Sequence, residues 1–241
     1  MNAFPRLRAA AGAVVVCLGF AACDALPGRP AIAKREVMPS QVTAFDVLYG
    51  RNCAGCHGAD GRLGAARSLN DPVYLALVSA DRLRTIIGEG VPGTSMPAFR
   101  NSSGGDLTGA QVDALVKGML ARWARADAVA GTTLPPYEGP GKGSGTADTA
   151  RGAAVFASAC VRCHGPEGKG GATTGSIVDP SYLALVSDQS LRTTVIAGRP
   201  DLGKPDWRDD MPGRPLTPQQ ISDLVAWLVS HRRPVPGRPE G

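Results

Sequence analysis

The sequence is poor in aromatic residues and in histidine, and it lacks the alternating apolar pattern of β-strands. Only 5% of its 241 residues are Phe, Trp or Tyr, and it contains 3 histidines. A small domain with so few large side chains is short of core material, so we expect another apolar group to fill part of the interior. Because strand alternation is missing, we predict an all-α fold.

The chain also lacks a basic surface of the kind that binds nucleic acid. Its formal net charge is +5, but residues 40–126 carry nine Lys and Arg against seven Asp and Glu, and residues 148–241 carry eleven against ten. Nearly neutral segments cannot supply the dense phosphate contacts on which nucleic-acid binding depends. We therefore exclude nucleic acid as a partner.

The N-terminal segment predicts export. Residues 1–8 hold two arginines and no acidic residue, and an apolar stretch over 9–22 leads directly to Cys23. That stretch is shorter than the roughly 20 residues that span a bilayer, so residues 1–22 are predicted to be a signal peptide. The residues before Cys23 resemble a bacterial lipobox, which predicts a periplasmic protein that is lipid-anchored through Cys23 and carries an extended tether over 23–39. Secretion without a lipid is the alternative.

The rest of the chain contains one unit written twice. The sequence CAGCHG at 53–58 recurs as CVRCHG at 160–165, and DPVYLALVS at 71–79 recurs as DPSYLALVS at 179–187. Matching motifs in the same order indicate a duplication. We therefore predict two domains and a linker rich in Gly and Pro. The predicted boundaries are 40–126 for the first domain, 127–147 for the linker, 148–233 for the second domain and 234–241 for a flexible tail.

Helix signals recur in both units. Capping boxes over Thr108–Gln111 and Thr217–Gln220 each precede a closing helix with apolar residues at i, i+3, i+4 and i+7. Ser79 and Ser187 are each predicted to be the N-cap of another helix, which comes before the closing helix in the chain and ends at a glycine. The opening helices are predicted at 40–52 and 149–159. Each unit is thus a small bundle of three or more short helices, too small to be stable on its own core.

Each unit carries one Cys-x-x-Cys-His motif, the attachment signature of c-type haem. Two thiols within one helical turn can reach the vinyl edge of one porphyrin, and the adjacent His then presents its imidazole to the iron. A disulfide would leave the His unexplained, and structural zinc would need a fourth ligand that neither motif offers nearby. We therefore predict two covalently attached haem c groups. Their attachment residues are Cys53, Cys56 and His57 in the first unit and Cys160, Cys163 and His164 in the second.

The second axial ligand of each iron is predicted by elimination. Two of the 3 histidines belong to the motifs, so methionine must serve at least one haem. Met96 and Met211 each lie in a loop after a glycine and before a proline, at equivalent positions of the two copies. Met119 falls on the apolar stripe of its helix and is interpreted as a core residue. His231, in the last turn of the final helix, is expected to interact with the helix C-terminus.

With these motifs the chain resembles the class I c-type cytochromes, specifically their tandem two-haem members, over 40–126 and 148–233. The resemblance implies one His and one Met ligand for each iron. It also implies that a proline carbonyl accepts the remaining ring N–H of each ligand His, and Pro72 and Pro180 match that proline by their order in the chain. Such hydrogen bonds orient the ring and raise its basicity.

The two copies depart from each other in two places. The second copy has a longer, charged segment between Gly198 and Met211, and we expect this loop, which carries Trp207, to contact a partner or a haem propionate. The first copy has Gly118 where the second has the aromatic Trp227. We therefore expect the two domains to differ in haem exposure and reduction potential.

An iron with both axial positions filled can pass electrons but cannot bind substrate or oxygen. We therefore predict no catalytic residue and no small-molecule substrate. The expected function is electron transfer between redox partner proteins of a respiratory or photosynthetic membrane chain, either as a free lipid-anchored carrier or as a subunit of a complex. The alternative is a dihaem enzyme of the peroxidase or sulfur-compound oxidase type, for which Asp209 and Asp210 are the only acidic cluster near a motif.

Overall fold

The computed structural model describes residues 37–139, 147–172, 174–211 and 213–234. Within these ranges the protein is helical and forms no strand, which confirms the predicted all-α class. The predicted signal peptide, Cys23 and most of the tether lie outside the described residues. None of the helices in the described ranges is long and apolar enough to cross a membrane.

The two copies of the sequence repeat build matching sets of helices. In the first copy these are α1 (Phe45–Asn52), α2 (Ala54–His57), α3 (Pro72–Leu77), α4 (Ala80–Glu89) and α5 (Gly109–Trp123). In the second they are α6 (Thr149–Ala159), α7 (Val161–His164), α8 (Pro180–Leu185), α9 (Asp188–Ala197) and α10 (Pro218–Ser230). Short 3₁₀ turns lie at Pro39–Gln41, Asn101–Ser103, Pro166–Gly168 and Pro200–Leu202. Helix α6 has the predicted bounds, whereas α1 begins at Phe45 and is shorter than predicted.

The helix starts follow the local sequence. Both predicted capping boxes are present, and the Ser79 and Ser187 hydroxyls accept backbone N–H groups at the starts of α4 and α9. The short helices α3 and α8 were not predicted. Their N-cap is an aspartate followed by proline, and the carboxylate of Asp71 accepts the amides of Val73 and Tyr74 at 2.9 and 3.1 Å. This arrangement starts a helix efficiently because proline needs no donor there.

The opening and closing helices of each copy cross closely, with one large and one small residue at the crossing. In the second copy Gly152 of α6 lies against Trp227 of α10, and in the first copy Gly118 of α5 lies against Phe45 of α1. The large residue therefore lies on the closing helix in the second copy and on the opening helix in the first copy. In each copy the glycine lies on the other helix of the pair. The aromatic that position 118 lacks is supplied from the opposite helix, and Trp123 packs edge-on against both Phe45 and Tyr49.

The linker region is packed against folded helices over its described part. Arg192 of α9 donates to the carbonyl of Pro136 at 2.9 Å, and Gln189 donates to that of Tyr137 at 2.8 Å. From the first copy, Arg82 forms an ion pair with Glu138 at 3.0 Å. Residues 127–139 therefore contact helices from both copies.

Candidate functional site

Each Cys-x-x-Cys-His motif forms the junction of two helices. Cys53 ends α1 and begins α2, and the amide of His57 donates to the Cys53 carbonyl at 3.0 Å. Cys160 and His164 repeat this geometry at the junction of α6 and α7, with the same 3.0 Å distance. Each helical turn therefore places two thiols and one imidazole within a single short segment.

The glycine after each motif histidine allows the following loop to fold back. Gly58 has a φ of 84° and Gly165 a φ of 69°. A Cβ at these positions would lie 1.8 Å from the carbonyl oxygen of Arg62 and 2.0 Å from that of Gly170. Only glycine combines this left-handed conformation with so close an approach. The left-handed backbone and the close contact therefore explain why the CxxCHG pattern ends in glycine.

The four motif cysteines carry free thiols. Cys56 and Cys163 are exposed, and Cys53 and Cys160 are half-buried. Burial raises the pKa of Cys53 to about 11 and that of Cys160 to about 12, so both are protonated at neutral pH.

His57 is held by a backbone carbonyl, although not by the predicted one. Its Nδ1–H donates to the carbonyl of Arg67 at 2.7 Å. The prediction that Pro72 supplies this carbonyl is wrong, because Pro72 is the first residue of α3 and its carbonyl belongs to that helix. Burial is the main cause of a lowered His57 pKa, so the ring is neutral and its Nε2 carries the lone pair that a metal needs.

Among the described residues, His164 Nδ1 is buried and has no hydrogen-bond partner. Pro180 is the first residue of α8, and no bond from His164 to its carbonyl is present in these residues. Burial and the charge of Lys204 lower the His164 pKa, which keeps this imidazole neutral as well.

Met96 and Met211 lie on loops that are tied to the preceding helices. The Met96 carbonyl accepts the amide of Val91 at 3.0 Å, and the Phe99 amide bonds the Ile87 carbonyl of α4 at 3.0 Å. Met211 is half-buried against the core, and its Sδ accepts the side-chain amide of Gln220 at 3.8 Å. Met119 is buried on the stripe of α5, as predicted for a core residue.

Two ion pairs lie within the charged segment before Met211. Lys204 pairs with Asp210 at 3.3 Å, and Arg208 pairs with Asp206 at 2.6 Å. Trp207 is only 2% exposed, and the Arg208 guanidinium lies 5.1 Å from its ring centroid. The indole is therefore packed within the protein, and contact of the surrounding loop with a partner or a haem propionate stays a prediction.

His231 has a structural role. It is the C-cap of α10, and its Nδ1–H donates to the Trp227 carbonyl at 2.8 Å. Its ring also packs edge-on against the Trp227 ring, with centroids 4.7 Å apart. This agrees with the expected interaction with the helix C-terminus.

The residues present fit the predicted cofactor. Each copy offers two free thiols, a neutral imidazole on the same helical turn and a loop methionine. In the described part of the chain, no three His, Cys, Asp or Glu side chains converge as a metal-binding cluster. The donor set therefore matches a covalently attached haem.

Two family models match the chain, one on each copy of the repeat. The model described as "Cytochrome C oxidase, cbb3-type, subunit III" matches residues 40–117, and the model described as "Cytochrome c" matches residues 149–232. Neither match includes the predicted linker over residues 127–147.

Curated relatives extend over both copies. The Cbb3-type cytochrome c oxidase subunit FixP of Azorhizobium caulinodans is 28% identical over 190 residues, which cover 76% of this chain and 57% of the relative. FixP of Bradyrhizobium sp. (strain ORS 278) is 31% identical over 194 residues, covering 76% and 58%. The chain thus spans less than two thirds of the length of these relatives.

A solved structure aligns with much of the chain at low sequence identity. A chain of the Kuenenia stuttgartiensis reducing HAO-like protein complex Kustc0457/Kustc0458 aligns at 15% identity with a TM-score of 0.49. The alignment covers 82% of this chain and 98% of the other.

Proposed function

The chain is a tandem class I c-type cytochrome whose two domains bind covalently attached haem c, and from this premise we propose that it carries electrons between redox proteins of a membrane oxidase. Bound haem c supplies a reversible one-electron change at iron. We assign His57 and Met96 as axial ligands of the first haem and His164 and Met211 as those of the second. Cys53, Cys56, Cys160 and Cys163 are assigned as the thioether donors.

The carrier assignment rests on one observation: each copy offers a neutral imidazole together with a loop methionine at an equivalent position. With both axial positions filled, neither iron has a site for a substrate.

The partner is proposed to be a cbb3-type oxidase. This is supported by the family model over residues 40–117 and by the FixP relatives, which are named as subunits of such oxidases. Affinity purification of the tagged chain from its native membranes should yield a haem–copper oxidase subunit. Recovery of a sulfur-compound enzyme instead would favour the alternative, a dihaem enzyme.

The location is proposed to be periplasmic, with attachment to the membrane through acylated Cys23. Cys23→Ser should release the protein into the soluble periplasmic fraction. Unchanged retention at the membrane would mean that binding to partner proteins, rather than a lipid, holds it there.

Carbon monoxide distinguishes a carrier from an enzyme because it binds reduced haem only where an axial position is open. The reduced wild type should not react, whereas Met96→Ala and Met211→Ala should each bind carbon monoxide at one haem. Met119→Leu is the matched control, since Met119 is buried in the core, and it should remain unreactive. A wild type that binds carbon monoxide would contradict the carrier assignment.

A further inference from the structure

The loop over residues 62–67, which we call the proximal loop, follows the first motif in the chain and contacts the second domain. Its Arg67 carbonyl accepts Nδ1–H of His57 at 2.7 Å, while Nη2 of the same residue donates to Thr194 Oγ1 of α9 at 2.7 Å. We propose that Arg67 is a positioning residue through which docking of the second domain tunes the axial histidine of the first. This inference rests on the proposed role of His57 as an iron ligand.

The Arg67 side chain is half-buried, so its contacts with neighbouring groups restrict where it lies. Its guanidinium lies 5.1 Å from the centroid of the Tyr74 ring, and Nη1 is buried without a hydrogen-bond partner in the described ranges. Burying a guanidinium is costly unless it is well partnered, so the bond to Thr194 matters for its position. Thr194 is itself fixed, because its hydroxyl donates to the Ser190 carbonyl at 2.8 Å.

Two further bonds hold the proximal loop to the second domain. Arg199 donates to the Gly64 carbonyl at 3.2 Å, and the Leu63 amide donates to the Asp201 carboxylate at 3.0 Å. Arg199 and Asp201 pair at 2.9 Å, and their side chains are 14% and 1% exposed. Leu63 has a φ of 60°, a strained conformation for a leucine, which persists where surrounding contacts impose it. Contacts with the second domain therefore hold the loop together with a bond inside the first domain, from the Ala66 amide to the Cys56 carbonyl at 2.9 Å.

In the part of the second copy that the structure describes, no equivalent of this contact is present. Ser68 donates to the Gly61 carbonyl at 3.0 Å and Ser176 to the Gly168 carbonyl at 3.2 Å, which identifies these serines as equivalent. The residue before each serine is Arg67 in the first copy and glycine in the second. The described residues therefore link the second domain to the histidine of the first, whereas no equivalent contact reaches His164.

The expected consequence is a change in the midpoint potential of the first haem. A hydrogen bond from Nδ1–H to a carbonyl makes an imidazole more basic, and a more basic ligand favours oxidised over reduced iron. If contacts with the second domain hold the Arg67 carbonyl in place, loss of those contacts should weaken this bond. The midpoint potential of the first haem should then rise, and that of the second should not change.

Thr194→Val in the full-length holoprotein tests the proposal, because it removes the acceptor of Arg67 from within the second domain. Spectroelectrochemistry should show a positive shift for the first haem alone, with the haems assigned by NMR. Exchange of the His57 Nδ1–H with deuterated water should be about tenfold faster, as expected for losing roughly one hydrogen bond. Thr193→Val is the matched control, since the Thr193 hydroxyl bonds Gln189 within its own helix, and it should leave both measurements unchanged.

Arg67→Gly introduces the residue that the second copy carries and should shift the same potential in the same direction. Because Arg67 and Thr194 act through one contact, the double variant should shift no further than Arg67→Gly alone. Unchanged potentials in Thr194→Val, or equal shifts of both haems, would overturn the proposal. A wild type with fewer than two low-spin haems would instead contradict the proposed function, so the two failures are distinguishable.

Discussion

Substitution of Gly152 by alanine should destabilise the second domain, because this glycine lies where α6 and α10 cross. A Cβ there would lie 2.1 Å from the Asp223 carbonyl oxygen and 2.7 Å from the Trp227 Cβ. Carbon atoms pack best at about 3.5–4.0 Å, so the helices would have to separate by about 1 Å. The nearest obstacle is backbone, which cannot turn aside as a flexible side chain could.

The magnitude follows from two opposing effects. Overpacking a helix contact costs about 1–3 kcal/mol, and a backbone obstacle places Gly152 near the upper end of that range. Alanine in a helix interior regains about 1 kcal/mol relative to glycine. The net loss should be about 2 kcal/mol, which corresponds to a roughly 30-fold increase in the unfolding equilibrium constant.

Guanidinium unfolding of the holoprotein, followed by far-UV circular dichroism and haem absorption, measures this loss. Gly50→Ala is the control, because Gly50 lies in the opening helix of the first copy and a Cβ there would meet nothing within 4 Å. It should be neutral or stabilising by up to about 1 kcal/mol. A Gly152→Ala protein as stable as the wild type would refute the close crossing.

Two further outcomes test the attachment residues and the contact between the domains. Cys160→Ser should lose the thioether at Cys160 and leave the first haem unaffected, as seen by mass spectrometry of haem-bearing peptides; loss of both haems would argue against independent attachment. The hydrogen bond from Arg199 is the main cause of a lowered Asp201 pKa. The stabilisation from Asp201 should therefore be complete above the ordinary carboxyl pKa of about 3.9 and be lost as the pH falls through the lowered value. Limited proteolysis at acidic pH should detect this loss in the wild type, whereas Asp201→Asn, which cannot ionise, should show no such pH-dependent step.

Local signals allowed most of the fold to be predicted. The capping boxes and serine caps involve residues within one helical turn, so their partners can be read directly from the sequence. The apolar stripe of α5 was predicted for the same reason, and Val112, Leu115 and Met119 are all buried. The proline after Asp71 is also a local helix-start signal, although it was interpreted through the family resemblance instead.

Tertiary contacts account for what could not be predicted. The order of residues after His57 does not reveal which carbonyl faces its ring, so the sequence points to Pro72 whereas Arg67 supplies the bond. The exchange between Phe45 and Gly118 was also hidden, because the compensating residues lie on different helices. Trp207 lies in a charged segment that suggests exposure, yet its indole is buried.

Covalent haem content provides the most direct test of the two-haem carrier. Pyridine haemochrome absorbance should be measured against protein concentration, together with the mass of the denatured chain. The wild type should contain two haems that remain attached after denaturation and extraction with acidified solvent. A chain with one haem or none, produced in cells that mature c-type cytochromes, would contradict the assignment.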